Sequence, residues 1–202
     1  MINKEQYQVS GIKSSESRVL SWGFTLVELL VVMAIIGILA TVILGGFRSS
    51  QRRSRDAQRK SDLKQIANAL EMFYSDYERY PSENQAKPLA CPYTPSDPER
   101  SAQCAWGEGE MSDLVGEEKR TIYFKTLPKD PVSGQTYIYR TLYNNSAYQL
   151  YARLENPEDK NCIDGNCVDP VVSDGEPLEC GGTNLNCNFA VTSANVTPTE
   201  GW

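Results

Sequence analysis

The chain has 202 residues, a formal net charge of −6 and no histidine. The lack of histidine excludes Ser-His and Cys-His nucleophile pairs and every metal site with imidazole ligands, so an enzyme of this sequence would depend on carboxylates. Residues 81–202 hold 18 acidic and 9 basic side chains. This acidic surplus argues against nucleic-acid binding, which requires Lys and Arg surfaces.

Residues 1–22 are polar, mixed in charge and without periodicity. They fit either a disordered tail or a removable leader. An ordinary secretory signal fits poorly, because its apolar region should be about 7–15 residues long and end at a small-x-small site.

A largely apolar run extends from Phe24 to Phe47 and contains a single charged residue, Glu28. A helix of about 20 such residues spans a bilayer, so we predict a transmembrane helix over residues 24–47. A charged side chain inside a membrane costs about 2.5–3.5 kcal/mol on insertion scales, so Glu28 is either incidental or there for a partner.

The helical pattern continues through residues 48–80 with a different periodicity. The segment 48–64 carries seven basic side chains against Asp56 and Asp62. It is termed the basic collar here, and its cations are Arg48, Arg52, Arg53, Arg55, Arg59, Lys60 and Lys64. An apolar stripe at helical spacing follows: Leu63, Ile66, Ala67, Leu70, Phe73, Tyr74 and Tyr77. We expect Pro81 to end the helix and the stripe to pack against a sheet.

Three glycines, Gly37, Gly45 and Gly46, interrupt the apolar run, and each costs about 1 kcal/mol of helix propensity relative to alanine. They favour close helix packing or local flexibility. The alternative is that glycine is simply frequent in membrane helices.

The motif Gly-Phe-Thr-Leu-Val-Glu at residues 23–28, the apolar helix after it and the segment from Asp62 to Pro81 resemble the N-terminal region of type IV pilins and type II secretion pseudopilins. The resemblance covers about 60 residues. This chain differs in its long leader, in Trp22 before the motif, and in Gly45-Gly46 where many members have a helix-kinking proline.

The resemblance implies a precursor in the inner membrane with its head outside the cytoplasm. A prepilin peptidase would cut between Gly23 and Phe24, and the new Phe24 amine would be methylated. Glu28 would then pair with the Phe24 amine of a neighbouring subunit in a filament. The implied partners are further copies or other pilins, the peptidase, an inner-membrane assembly platform, and membrane lipid before assembly.

The basic collar conflicts with this orientation, because the positive-inside rule would place it in the cytoplasm. The leader holds fewer cations, Lys4, Lys13 and Arg18. The cysteines, which all follow residue 90, and the resemblance both favour an extracytoplasmic head, and we give them precedence.

Residues 81–120 are rich in Pro, Ser, Gly and charge, and we predict a long loop with a short helical turn near Met111–Val115. Cys91 and Cys104 bracket a 12-residue interior and are expected to form a disulfide. In pilin-like proteins this segment is variable and often lies at subunit contacts.

Residues 121–155 are predicted to form an antiparallel sheet. The segments 136–143 and 147–154 are rich in aromatic and β-branched residues, and Asn144-Asn145-Ser146 between them is typical of a hairpin turn. Alternation in the second segment predicts a half-buried strand. The run 127–131, followed by Gly134 and Tyr137, resembles the major pseudopilin subgroup.

Residues 156–202 form a cysteine-rich tail in which Cys162 and Cys167, and Cys180 and Cys187, are expected to pair. A four-cysteine zinc site is the alternative. Some pseudopilins bind calcium in this region, and Asp164, Asp169 and Asp174 are weak candidates for its ligands. The preferred alternative is that these residues lie in a solvated acidic loop that binds no metal. We otherwise expect no cofactor and no metal.

The sequence therefore predicts an α+β fold with a long N-terminal helix, apolar in its first half and amphipathic in its second, on a small antiparallel sheet. The expected organisation is a leader (1–23), a filament-core helix (24–47), its amphipathic continuation (48–80) and a head (81–202). The predicted function is that of a structural subunit of a type IV pilus or a type II secretion pseudopilus, not an enzyme. The alternative is a membrane-anchored binding protein that does not polymerise.

Overall fold

The computed structural model describes residues 23–115, 118–168, 170–173, 176–182 and 185–200. These residues form a long N-terminal helix followed by small antiparallel sheets, which confirms the predicted α+β class. The sequence-predicted leader, apart from Gly23, lies outside the described residues.

The helix α1 extends from Leu26 to Tyr77 and contains 52 residues. The chain divides into two compact units, residues 1–44 and residues 45–202, and α1 contributes residues to both. The helix ends before Glu78, whose φ of 53° is left-handed, and Pro81 follows at the predicted stop.

The apolar stripe of α1 forms the centre of the core in the second unit. Leu63, Ile66, Leu70 and Phe73 are completely buried. Phe73 contacts Tyr93 and Tyr123 edge to face, with ring centroids 4.7 and 5.3 Å away. Tyr74, also assigned to the stripe from the sequence, remains exposed and instead packs on Tyr80.

The strands pair as ribbons and one larger sheet, all antiparallel. The ribbons are β1 (Glu83–Asn84) with β2 (Lys87–Pro88), β3 (Met111–Val115) with β4 (Glu118–Phe124), and β7 (Val172–Ser173) with β8 (Glu176–Pro177). The three-stranded sheet has the order β5 (Ile138–Leu142), β6 (Ala147–Ala152) and β9 (Phe189–Thr192). The tail therefore supplies the third strand of the sheet.

The expectation of a half-buried strand at residues 147–154 is wrong, because all six residues of β6 are buried. One face packs on the core that contains Leu63 and Phe73. Tyr151, on the other face, packs with Cys180 and Cys187 in a second cluster. The tail covers this face, so the apolar–polar alternation of β6 does not report solvent exposure.

The helical turn expected near Met111–Val115 is also wrong, because these residues form β3. The strand is bonded on both sides: it pairs with β4, and the backbone of Tyr93 bonds to Ser112 and Leu114. The segment before it contributes Ala90 and Tyr93 to the core, so much of the predicted loop is packed rather than solvated.

Gly181 allows the tail to approach the turn before β5. Its φ is +152°, and a Cβ at this position would lie 2.2 Å from the carbonyl oxygen of Gly134. The backbone of this loop bonds to the turn through Thr136 N to Cys180 O and Gly182 N to Gly134 O. No other residue type fits without moving the backbone.

Replacement of Phe73 tests the core of the second unit. Phe73→Ala is expected to lower the free energy of unfolding by about 3–5 kcal/mol, because it leaves a cavity between α1 and two tyrosine rings. Urea unfolding of the full chain in detergent, followed by circular dichroism, measures the loss. The neighbouring, exposed Met72→Ala serves as the control and should change stability by less than about 0.5 kcal/mol. Equal effects of the two variants would contradict this packing.

Candidate functional site

The first residues described, 23–25, have no regular secondary structure and lead into α1. Thr25 precedes the helix, and its Oγ1 accepts a hydrogen bond from the backbone N–H of Glu28 at 3.2 Å. The Thr25 carbonyl accepts a second bond from Leu29 N. Thr25 is thus the N-cap, and Thr-x-x-Glu has the spacing of a capping box. The helix begins just after the Gly23–Phe24 peptide bond, which leaves that bond outside the helical hydrogen-bond ladder.

Gly23 is not required by the packing of the described residues. A Cβ built on it meets nothing within 4 Å, and the same holds for Gly37. Phe24, the next residue, is 81% exposed. The surroundings of Gly45 and Gly46 are not among those that the structure describes. The flexibility predicted at these two glycines therefore stays a prediction.

The apolar side chains described in residues 24–41 are exposed. They include Leu26, Leu30, Ile35, Ile38 and Leu39. An exposed apolar surface of this extent marks a site of interaction. Within the part of the chain that the structure describes, no helix is long and apolar enough to cross a membrane.

Glu28 lies in the first turn of α1, where the helix dipole favours a negative charge. Its side chain is exposed, and no cation among the described residues forms an ion pair with it. The carboxylate is therefore available to a group from another molecule.

A second site lies within the second unit, where the guanidinium of Arg59 is completely buried among three carboxylates. Its Nε and Nη2 donate to the two oxygens of Asp130 at 2.7 and 2.9 Å. Its Nη1 donates to Asp56 and to Glu155, both at 2.8 Å. Arg55 also binds Glu155 through two nitrogens. Such bidentate, charge-assisted contacts require one relative position of the partners.

The carboxylates around Arg59 also hold the backbone of the head. Asp56 accepts the N–H groups of Glu155 and Asn156 at 2.9 and 2.8 Å, which fixes the segment after β6. Asp130 accepts the N–H of Val132 at 2.8 Å, which fixes the turn before β5. The helix is thereby joined to two separate loops. We term Arg55, Asp56, Arg59, Asp130 and Glu155 the Arg59 cluster.

Within the Arg59 cluster, the contacts of Glu155 and Arg59 favour the ionised forms of these two residues. The hydrogen bond from Arg55 is the main cause that lowers the pKa of Glu155 to about 2; burial opposes this shift, and Arg59 supports it. Burial alone would lower the pKa of Arg59, but the hydrogen bonds to Asp130 and Glu155 outweigh it and raise the pKa. Glu155 and Arg59 therefore stay charged at neutral pH.

Further polar contacts join α1 to the head on either side of the stripe. Lys60 Nζ lies 2.5 Å from Asp159. The hydroxyl of Tyr137 donates to Asp62 at 2.7 Å, and burial raises the pKa of that carboxyl although the hydrogen bond opposes the shift. The hydroxyl of Tyr123 donates to Asp76 at 2.7 Å. The helix thus carries polar partners as well as an apolar stripe.

The six cysteines form three disulfides between neighbours in the sequence: Cys91–Cys104, Cys162–Cys167 and Cys180–Cys187. These are the pairs named from the sequence. The alternative of a four-cysteine zinc site is wrong for this structure, because no cysteine is free to ligate a metal.

Of the three weak calcium candidates, the structure describes only one, so calcium binding by these residues stays a prediction. Asp164 is exposed, and Asp169 and Asp174 lie outside the described residues. Among the residues whose placement is given, no group of three acidic, cysteine or histidine side chains could hold a metal ion.

Sequence reasoning missed the Arg59 cluster, because it treated the collar as a charged stretch next to a membrane. A weak signal was present. Arg48, Arg52, Arg55 and Arg59 follow one helical face, and Asp56 lies three residues before Arg59. Nothing in the sequence indicated that Asp130 and Glu155 would complete the site.

Comparisons with known proteins match both the N-terminal segment and much of the head. The family model for the prokaryotic N-terminal methylation motif matches residues 23–44. Type II secretion system core protein G of Pseudomonas aeruginosa is 30% identical over 130 residues, 64% of this chain and 80% of that protein. The corresponding protein of Klebsiella pneumoniae is 32% identical over 117 residues, 52% of this chain and 84% of its own length.

A further match is to a pilin and covers a shorter segment of the chain. The type IV major pilin protein PilA of Myxococcus xanthus is 45% identical, but over 58 residues, 29% of this chain and 26% of that protein. The chain thus spans about a quarter of this pilin and most of the two core proteins. No solved structure matches the chain.

The low pKa of Glu155 predicts a pH dependence. Because its pKa in the folded state, about 2, lies below the value of about 4.3 in an unfolded chain, ionised Glu155 stabilises the fold above about pH 4.5. This stabilisation is lost as the pH falls from about 4.5 towards 2. Urea unfolding should therefore show a deficit for Glu155→Gln at pH 7 that narrows at pH 4 and becomes a small fraction of its pH 7 value near pH 2.5.

The control for this measurement is Glu158→Gln, since Glu158 is 81% exposed in its side chain and its contact with Arg53 is long, at 3.9 Å. This variant should match the wild type at every pH. A Glu155→Gln deficit that stays constant down to pH 2.5 would contradict the assignment.

Proposed function

Because the chain belongs to the family of the type II secretion system core protein G, a pseudopilin, we propose that it is a structural subunit of a secretion pseudopilus. The observation that carries this proposal is the pairing of a methylation motif at residues 23–44 with an exposed apolar helix and an acidic, disulfide-linked head. The role is mechanical, and the relatives are structural subunits rather than enzymes.

A secretion pseudopilus is favoured over a type IV pilus by the extent of the matches. The alignment covers 80% and 84% of two core proteins but 26% of the pilin. The similarity to the core proteins therefore reaches beyond the apolar segment that both kinds of filament share. A pilus subunit remains the second candidate, supported by the higher identity of the pilin match.

Processing by a prepilin peptidase would create the assembly-competent subunit. Cleavage after Gly23 removes the leader and leaves Phe24 with a charged amine, which is the group to be methylated. Among the described residues nothing lies close enough to a Cβ at Gly23 to require glycine there, and the bond to be cut lies before the helix. Both features suit recognition by an enzyme that needs an accessible, small residue at this position.

Assembly would place the apolar first half of α1 among the same segments of neighbouring subunits. The amine of Phe24 and the carboxylate of Glu28 then lie in a medium of low dielectric, where an unpaired charge is very costly and a matched pair recovers much of that cost. Because Glu28 has no ion-pair partner within the described chain, a neighbour's amine fills that role. The pair also fixes the register between subunits.

Before assembly, the subunit would be held in the inner membrane by residues 24–47 with the head outside the cytoplasm. The collar does not prevent this orientation once the head has folded. Arg55, Arg59 and Lys60 are matched by carboxylates of the helix and the head. The remaining partners would be further copies or other pilins, and the assembly platform of the inner membrane.

Replacement of Glu28 tests the proposed assembly. Glu28→Ala should insert and lose its leader normally, because the Gly23–Phe24 bond to be cut and the cap residue Thr25 are unchanged. Its filament yield should fall at least about tenfold, since each Phe24 amine would be buried without a counter-charge. Mass spectrometry of the N-terminus measures processing, and electron microscopy of sheared fibres measures assembly, in cells that co-express the peptidase and platform.

Two controls make the result decisive. Glu158→Ala removes an exposed carboxylate outside the apolar segment, whose contact with Arg53 is long at 3.9 Å, and should assemble like the wild type. Gly23→Val should block cleavage itself and yield an unprocessed chain. Normal filament yield from Glu28→Ala would contradict the proposed ion pair. A wild-type chain that keeps residues 1–23 in the presence of the peptidase would contradict the proposed function.

A further inference from the structure

The basic collar contains more cations than the carboxylates of the head neutralise. Arg48, Arg52, Arg55 and Arg59 follow one face of α1, since spacings of four, three and four residues return to the same side of a helix. Arg53, Lys60 and Lys64 follow a second face. The head neutralises Arg55 and Arg59, the last two members of the first stripe, and Lys60, the middle member of the second.

The cations closest to the apolar segment remain exposed. Arg48 and Arg52 are exposed and form no ion pair with any residue that the structure describes. Arg53 has only Glu158 at 3.9 Å, with side-chain exposures of 63% and 81%. An exposed pair of this length contributes almost nothing. Three adjacent arginines therefore keep their charge available to an outside partner.

We propose that Arg48, Arg52 and Arg53 bind the phosphate groups of anionic phospholipids while the subunit waits in the membrane. This inference rests on the proposed membrane stage and adds to it a lipid class and three residues. Guanidinium groups match phosphate oxygens with paired N–H donors, which makes arginine suited to this contact.

The position of the three arginines along α1 favours lipid over another partner. The helix rises about 1.5 Å per residue, so they lie within about 9 Å of Phe47, the last residue of the apolar run. Lys64 lies about 26 Å from Phe47 by the same measure. Electrostatic attraction falls off over about 10 Å at an ionic strength of 0.1 M. A headgroup layer at Phe47 would therefore attract the three arginines and not Lys64.

The division of the collar also explains how a basic segment is tolerated on this side of the membrane. The cations that lie further from the apolar run are neutralised by carboxylates of the protein. Those next to it are neutralised by lipid phosphates. On assembly, Arg48, Arg52 and Arg53 must leave the lipid phosphates and either be exposed to water or find new anionic partners. Anionic lipid therefore favours the subunit that is still in the membrane over the assembled one.

The experiment uses the full processed chain in phosphatidylcholine vesicles that contain a trace of spin-labelled phosphatidylglycerol or spin-labelled phosphatidylcholine. Electron spin resonance gives the fraction of each lipid that is immobilised at the protein surface. Wild type should prefer phosphatidylglycerol at least about threefold at low salt, with the preference approaching one at about 0.5 M salt.

The triple variant R48Q/R52Q/R53Q should lose the preference at low salt, and the triple replacement by lysine should keep most of it because lysine also binds phosphate as a point charge. Lys64→Gln is the matched control: it removes an exposed collar cation beyond the reach of the headgroups and should behave as the wild type. Circular dichroism of each variant verifies the fold, which should be unchanged because these side chains are exposed.

Each other outcome overturns the proposal. Equal preference in wild type and in the glutamine variant, or an equal loss in Lys64→Gln, excludes specific binding by the three arginines. Unchanged lipid preference with defective filaments assigns the arginines to the acidic head of a second copy instead. Flotation of the vesicles in a density gradient shows whether the chain is bound to them. A wild-type chain that does not float with the vesicles contradicts the proposed membrane stage itself. A chain that floats but shows no preference for phosphatidylglycerol contradicts only this inference.

Discussion

The buried guanidinium of Arg59 determines how the helix and the head of this protein fit together. Apolar contacts around Phe73 supply much of the burial, but an apolar stripe tolerates small shifts of one surface over another. Arg59 does not, because Asp56, Asp130 and Glu155 together accept its N–H groups in one geometry. Removal of one partner would leave uncompensated charge in the interior, at a cost of about 3–5 kcal/mol.

The same helix therefore serves two kinds of neighbour. From Asp56 to Tyr77 it faces its own head, through matched charges and buried apolar side chains. In its first unit it presents apolar side chains to the outside, with Glu28 as a charge that lacks a partner among the described residues. A filament subunit needs this division. One segment of the helix must find its contacts within the chain, and the other must stay free until it contacts another subunit.

Local patterns were enough to predict the long helix, its stop before Pro81, the hairpin around Asn144 and the N-terminal methylation motif. They failed where distant segments meet. The alternation in β6 could not show that the tail covers its second face, and the loop composition near Met111 concealed a strand bonded on both sides. Arg59 was missed for the same reason, since its partners are 71 and 96 residues away in sequence.

A double-mutant cycle between Arg59 and Asp130 tests most directly whether the cluster joins the helix to the head. The free energy of unfolding is measured for wild type, Arg59→Gln, Asp130→Asn and the double variant. Their bidentate contact predicts a coupling energy of at least about 2 kcal/mol, with the double variant less damaged than the sum of the single variants. A coupling energy within about 0.5 kcal/mol of zero would contradict the central place given to Arg59.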